Sequence, residues 1–167
     1  MSGARISHGS GSVNVSTGVP VLDHLLGELA RAGGFDLALE IEPDDPEAEV
    51  DAAGTALGRA VAPRLADGAL GEATAPADEA LAMVVVERSG RPLVASNADL
   101  TGAGGLGTDL AARFLDRLSE EAGLTVHVRL MEGEDTGNAL AAIFKALGVA
   151  LARASDAAPD RTSRKES

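Results

Sequence analysis

Residues 26–41, LGELARAGGFDLALEI, return as residues 115–130, LDRLSEEAGLTVHVRL, and this repeat decides the fold. The offset is 89, from Leu26 to Leu115. At that offset Leu29 falls on Leu118 and Gly34 on Gly123, while Phe35, Leu37, Leu39 and Ile41 fall on Leu124, Val126, Val128 and Leu130. Each copy reads as the end of an amphipathic helix, a glycine stop, and a strand whose apolar residues alternate with polar ones. At an offset of 90, ALGRAV (56–61) falls on ALGVAL (146–151), which carries the repeat into the next helix. Convergence of two amphipathic units does not explain shared glycines and loop positions, so the reading is a duplication.

Working outward, SVNVS (12–16) alternates like a short strand, and Pro20 opens a helix with Leu22, Leu25, Leu26 and Leu29 on one face. The acidic loop PDDPEAE leads to a helix over about 47–64, and a turn-like stretch (66–78) precedes a strand over about 80–88. Ser89-Gly90 reads as a hairpin turn into a strand from Arg91. A glycine-rich loop, a helix over about 108–122, the strand of the repeat and a helix over about 137–154 follow. The expected architecture is α+β: two similar halves, about 1–78 and 79–155, with helices packed between sheets, and a loose polar tail at 156–167.

Composition limits the function. With 45% apolar residues but only three Phe, no Trp and no Tyr, the core must be aliphatic, and no aromatic platform exists for stacking bases. A net charge of −12 repels a phosphate backbone, so no nucleic-acid partner is expected. Cysteine is absent, which excludes disulfides and thiolate metal sites. The N-terminus lacks an apolar signal region and no apolar run approaches membrane-spanning length, so a cytoplasmic protein with no membrane partner is expected. The run Gly102 to Gly107, with Glu132 downstream, fits the glycine-rich dinucleotide pattern on paper. It lacks a buried parallel strand before it and further βαβ units after it, so a flexible loop is the preferred reading.

Four stretches in order resemble the imidazoleglycerol-phosphate dehydratase family: TGVPVLDHLL, GGFDLALEI, PADEALAMVVVERSGRP and AGLTVHVRLMEGEDTGNALAAIFKALGVAL. The resemblance runs from about Val13 to Arg153 and lacks only the family's first strand and N-terminal arm. It implies duplicated units like the second domain of ribosomal protein S5, and trimers that metal ions join into an octahedral assembly. The implied chemistry is loss of water from imidazoleglycerol phosphate in histidine biosynthesis, with two manganese ions gripping the imidazole. Lewis acids on the ring nitrogens make that proton removable, and such sites need several His plus carboxylates.

Transferred residue by residue, the family's ligands are mostly missing. The helix His is kept as His24, but the HHxxE that would join it on the next helix reads Glu47, Ala48 and Asp51. In the second half the counterpart of His24 is Arg113, as the internal offset also assigns, and the second HHxxE reads Gly137, Asn138 and Ala141. A guanidinium repels a divalent cation. The expectation is therefore no bound manganese, no dehydratase activity, and a homotrimer that does not assemble further. His24, Glu47 and Asp51 stand as remnant metal candidates. Glu47, Glu49 and Asp51 carry oxygens suited to a hard cation, but acids in a first helical turn also complement the helix dipole, which is the preferred reading.

For a small phosphorylated ligand, Arg91 is retained and Ala69 replaces an expected arginine. Ser163 and Lys165 echo a C-terminal phosphate motif, although Lys145 and Lys165 also read as plain surface charges, and His127 on a strand's polar side needs no role. Three functions compete: a non-catalytic or ligand-binding paralogue, an active dehydratase with an atypical carboxylate-rich metal site, and recruitment to another reaction in the old cleft.

Overall fold

The computed structural model describes residues 2–98 and 110–166, with side chains described at 2–98 and 111–156. The glycine-rich run 102–107 lies outside them. Seven strands and four helices follow in the order β1 (Gly3–His8), β2 (Val13–Ser16), α1 (Pro20–Gly33), β3 (Phe35–Glu40), α2 (Pro46–Val61), β4 (Leu70–Ala77), β5 (Ala80–Glu87), β6 (Leu93–Ser96), α3 (Leu110–Ala122), β7 (Thr125–Glu132) and α4 (Thr136–Glu166), with a 3-10 turn at Ala62–Arg64.

Local chemistry sets the boundaries. Pro20 opens α1, and Asp23 Oδ1 accepts the Thr17 N–H at 2.9 Å to fix the incoming loop. Gly34, at φ 69°, ends the helix in a left-handed conformation that costs a residue with Cβ about 1–2 kcal/mol. Gly123, its repeat mate, stands at φ 65° after α3. Asp45 caps α2 by accepting the Ala48 N–H at 3.0 Å, and Glu47 and Glu49 occupy its positive first turn.

The first sheet has the order β1-β3-β2 and the second β4-β5-β7-β6. β3 pairs antiparallel with β1 and parallel with β2, and β7 likewise with β5 and β6. The registers correspond as well: Ile6 and Val13 flank Leu37 as Val86 and Val94 flank Val126. The two halves therefore share strand order, direction and register, and β4 is the added strand of the second sheet.

The four helices lie between the sheets, but they pair across the halves. α1 packs on α4 and α2 on α3; β2 and β3 cover α1, and β4, β5 and β7 cover α4. Both pairs run parallel and very close. A Cβ on Gly54 would sit 2.7 Å from the Phe114 carbonyl oxygen, and one on Gly148 would collide with the carbonyl of Leu29. Phe35, Phe114 and Phe144 are fully buried among Leu, Val, Ile and Ala, the aliphatic core that composition requires.

Four expectations need correction. The stretch read as turn-like contains β4, whose inward positions are Gly71, Ala73 and Ala75. The first strand that the resemblance lacked is present as β1. Ser89-Gly90 is not a hairpin turn, because β7 lies between β5 and β6. The tail read as loose continues α4 to Glu166. In addition, Thr136–Asp156 is long and apolar enough to span a membrane by length and composition, contrary to the reading of apolar runs. Two-thirds of that window is buried, as befits a core helix.

Candidate functional site

Parallel pairing places the first turns of α1 and α4 together, and those of α2 and α3 together. The residues singled out from the sequence therefore form two pseudo-equivalent clusters. Their membership differs from the sequence expectation: His24 does not join Glu47 and Asp51. It faces the start of α4 instead, and Glu47 and Asp51 face Arg113.

The α2–α3 cluster is closed by charge. Arg113 Nη2 lies 2.6 Å from Asp51 Oδ2 and its Nε donates to Asp51 Oδ1 at 3.2 Å, a two-point grip. Its Nη1 is 3.4 Å from Glu47 Oε2. Arg117, one turn on, reaches Asp51 Oδ2 at 3.7 Å, and Arg59 Nε lies 3.4 Å from Glu121 Oε2 farther along the same pair of helices. The Asp51 and Arg113 side chains are 23% and 34% exposed, so solvent screens this pair only in part. The positive charge between these acids belongs to the protein itself.

The α1–α4 cluster is open. Pro20, His24 and Leu25 on α1 and Gly137, Asn138 and Ala141 on α4 line a mainly apolar pocket of about 430 Å³. The His24 side chain is 64% exposed, with its Nε2 3.9 Å from Glu28 Oε1. Glu28 is the repeat mate of Arg117, so the His24–Glu28 step on α1 answers an Arg113–Arg117 step on α3. Glu79, from the PADEAL stretch, anchors this end of α4. Its carboxylate accepts from the Glu134 and Asp135 N–H groups at 3.1 Å and from Asn138 Nδ2 at 2.6 Å. The Asn138 side chain foremost, then the Asp135 amide, holds the Glu79 carboxyl below its ordinary range.

These donor sets do not suit the manganese pair that the resemblance implies. A guanidinium fills one cluster, and the other offers a single imidazole with glycine, an amide and alanine around it. Among the described residues no three His, Asp or Glu side chains converge to hold an ion. Ala48 contributes only its backbone N–H, to the cap.

Arg91, the phosphate candidate whose side chain is described, lies apart from the α2–α3 cluster. Arg91 is exposed, and its carbonyl accepts from Thr125 Oγ1 at 3.0 Å, beyond the C-terminal end of α3. Arg113 projects from the first turn of that helix, about 14 Å of helix away. Ala69 is buried, its carbonyl accepting the Arg88 N–H at 2.8 Å. The side chains of Ser163 and Lys165 fall outside the described residues. Sequence reading missed Arg117 and Glu79. The four-residue step from Arg113 was the available signal for the first, and the PADEAL motif that contains Glu79 was the signal for the second.

The fold defines a class: a duplicated α+β chain whose helix pairs cross between halves and meet at two sites. The imidazoleglycerol-phosphate dehydratase family model matches residues 17–151. The dehydratase of Aromatoleum aromaticum is 40% identical over 157 residues, covering 89% of this chain and 80% of that protein. The dehydratase structure from Staphylococcus aureus superposes with a TM-score of 0.79 at 31% identity, covering 90% of this chain and 91% of the other. That from Pyrococcus furiosus gives 0.79 at 26% identity, covering 91% and 88%. The chain belongs to the imidazoleglycerol-phosphate dehydratase family.

Proposed function

We propose that this family member, a homologue of the histidine-biosynthesis dehydratases, has lost the dehydration step and serves as a non-catalytic or ligand-binding paralogue. The two-point Arg113–Asp51 pair carries this reading, because it puts a fixed cation in the cluster where the chemistry calls for a removable one. Gly137 and Ala141 present no ligating side chain at the other cluster, and the Asn138 amide is held by Glu79. His24, Glu47 and Asp51 remain as remnants rather than as a working set. A small phosphorylated ligand held by Arg91 is the binding function this reading retains, with no nucleic acid and no membrane partner, in the cytoplasm.

Self-association follows the same logic. A homotrimer resting on sheet and helix packing needs no metal. Further assembly through metal ions would bring together the acids of the α2 start in chains that each carry −12. Light scattering with and without manganese should give one unchanged trimer mass; a metal-dependent jump to a much larger particle sinks the proposal.

A second reading is favoured by the relatives themselves. Identity of 40% to a dehydratase over most of the chain supports a working enzyme with an atypical, carboxylate-rich single metal site. Complementation of a histidine auxotroph lacking its own dehydratase separates the two. The first reading expects no growth without histidine from a chain shown to be expressed and folded; growth establishes the second.

A further inference from the structure

Among the described residues β4 is the strand without a counterpart in the other half, yet everything it packs against is repeated there. Ile6 and Ala4 of β1 stand across from Leu37 and Leu39 as Val86 and Val84 of β5 stand across from Val126 and Val128. On the helices, the offset of 90 sets Ala52, Ala56 and Ala60 of α2 on Ala142, Ala146 and Ala150 of α4. In the second half β4 lies over these positions, and Val84, Val86, Ala142, Ala146 and Ala150 are all 0% exposed. In the first half Ala4, Ile6, Ala52 and Ala60 are only half-buried. A groove of about 360 Å³ runs between β1 and α2, with Gly3, Ala4, Ala52 and Ala60 on its walls. A Cβ on Gly3 would meet nothing within 4 Å.

β1 also turns hydrogen-bonding groups toward this groove. The Leu37 N–H donates to the Ser12 carbonyl, on the β2 side, at 2.9 Å. The Ile6–Leu37 pair therefore exchanges no hydrogen bonds, and the Ile6 N–H and C=O face the free edge. Arg64 Nη1 donates to that carbonyl at 3.4 Å, and Arg64 Nε is buried with no partner among the described residues. The second half shows what cations do beside such a strand. Arg153 Nη1 and Lys145 Nζ of α4 donate to the Glu72 and Pro76 carbonyls of β4 at 2.8 and 2.7 Å.

We propose that the groove between β1 and α2 is a strand-acceptor site, which takes an extended segment of another protein as a fourth strand antiparallel to β1. The repeat specifies the chemistry of that segment. Gly71 lies opposite Val86, Glu72 opposite Val85 and Ala73 opposite Val84, and the corresponding residues of β1 are Ile6, Arg5 and Ala4. A Cβ on Gly71 would collide with the Ala150 carbonyl, and Ala60 is the mate of Ala150. The incoming strand accordingly carries glycine opposite Ile6 and a small residue opposite Ala4. Between them it carries an acid, because Arg5 is exposed and has no ionic partner among the described residues. A second copy is not the occupant, since its strand of this pattern, β4, is already packed on its own α4. The site is independent of the helix-start clusters and of the function proposed for them.

Fluorescence anisotropy of a labelled synthetic peptide, LGEATAPA, the sequence of residues 70–77, tests the site on the full chain. Saturable binding is expected below about 1 mM. The Gly71→Val form of the peptide should bind about tenfold or more weakly, because the added side chain has no room. Arg5→Glu in the protein should weaken the parent peptide about threefold, and the Glu72→Arg peptide should recover that loss. Ala60→Leu fills the groove and should remove binding, with circular dichroism to check folding; if it does not fold, the exchange at exposed Arg5 decides alone. Absence of saturation, a Gly71→Val peptide that binds as well as the parent, or binding that Arg5→Glu leaves unchanged overturns the site. The last result would mean that the peptide exchanges with the chain's own β4. Light scattering with refractive-index detection should give the same particle mass with and without peptide. A peptide that splits a larger particle overturns the occupant, which would then be a second copy.

Discussion

Replacing Arg113 with alanine takes the cation out of the α2–α3 cluster and leaves Asp51 and Glu47 without their shared partner. A charge-assisted hydrogen bond inside a protein is worth about 1.5–3 kcal/mol, whereas a fully exposed ion pair is worth about 0–1 kcal/mol. The Arg113–Asp51 contacts, at 2.6 and 3.2 Å, lie between these limits because the side chains are 34% and 23% exposed. A coupling energy of about 1–1.5 kcal/mol is therefore expected, discounted for partial exposure. In a domain of this size each kcal/mol moves Tm by about 2–4 °C, so Arg113→Ala should lower Tm by about 2–6 °C. Thermal denaturation of wild type, Arg113→Ala, Asp51→Ala and the double variant isolates the pair from the separate cost of each truncation. Repeating the cycle in about 1 M salt should shrink the coupling, because the exposed edge of the pair is screened. A coupling below about 0.3 kcal/mol at low salt would mean that the two-point grip does not hold in solution. The case for a fixed cation at this site would then fail.

Glu79 has a lowered pKa, so the stability it contributes is present above the ordinary carboxylate range and is lost as pH falls through its folded value. Melting curves of Glu79→Gln should lie below wild type at pH 7 and converge with it in acid; a constant gap would refute the assignment. Asp116 has the opposite sign, since burial, and then Glu120, raise its pKa. Its ionisation opposes folding above the ordinary aspartate range, so Asp116→Asn should be the more stable protein at pH 7, with the gain vanishing in acid. Gly148→Ala drives a methyl into the Leu29 backbone and should cost about 2–3 kcal/mol in urea denaturation. Gly3→Ala, where a Cβ meets nothing within 4 Å, should change little.

What the sequence displayed and what it concealed follow from the size of the buried residues. The repeat was legible because β3 and β7 bury Phe35, Leu37 and Leu39 in one, and Val126 and Val128 in the other, at strict alternation. β4 escaped notice because its inward positions are Gly71, Ala73 and Ala75, and Gly71 allows the Ala150 backbone so close that no Cβ fits between them. A strand that buries backbone against a helix instead of large side chains leaves no hydrophobic period to read. β1 was equally faint, with only Ala4 and Ile6 half-buried.

The same close packing explains why the pairing of helices within the chain was not legible in the sequence. Chain order suggested that His24 would work with the helix that follows it. The glycines that let helices approach closely instead join α1 to α4 through Gly148, and α2 to α3 through Gly54 and Gly58. Each cluster therefore draws on both halves, and a change in one half is answered in the other. The guanidinium that replaces a histidine's counterpart at position 113 is accommodated by two acids from the first half, one of them with its side chain more than three-quarters buried. Were Arg113 facing its own half's next helix, it would meet Gly137, Asn138 and Ala141, which include no anion to balance it. The crossed pairing lets one cluster become a closed ionic contact while the other opens into an apolar pocket. It is also why the pairing of Arg113 with Asp51 and Glu47 does not show along the chain.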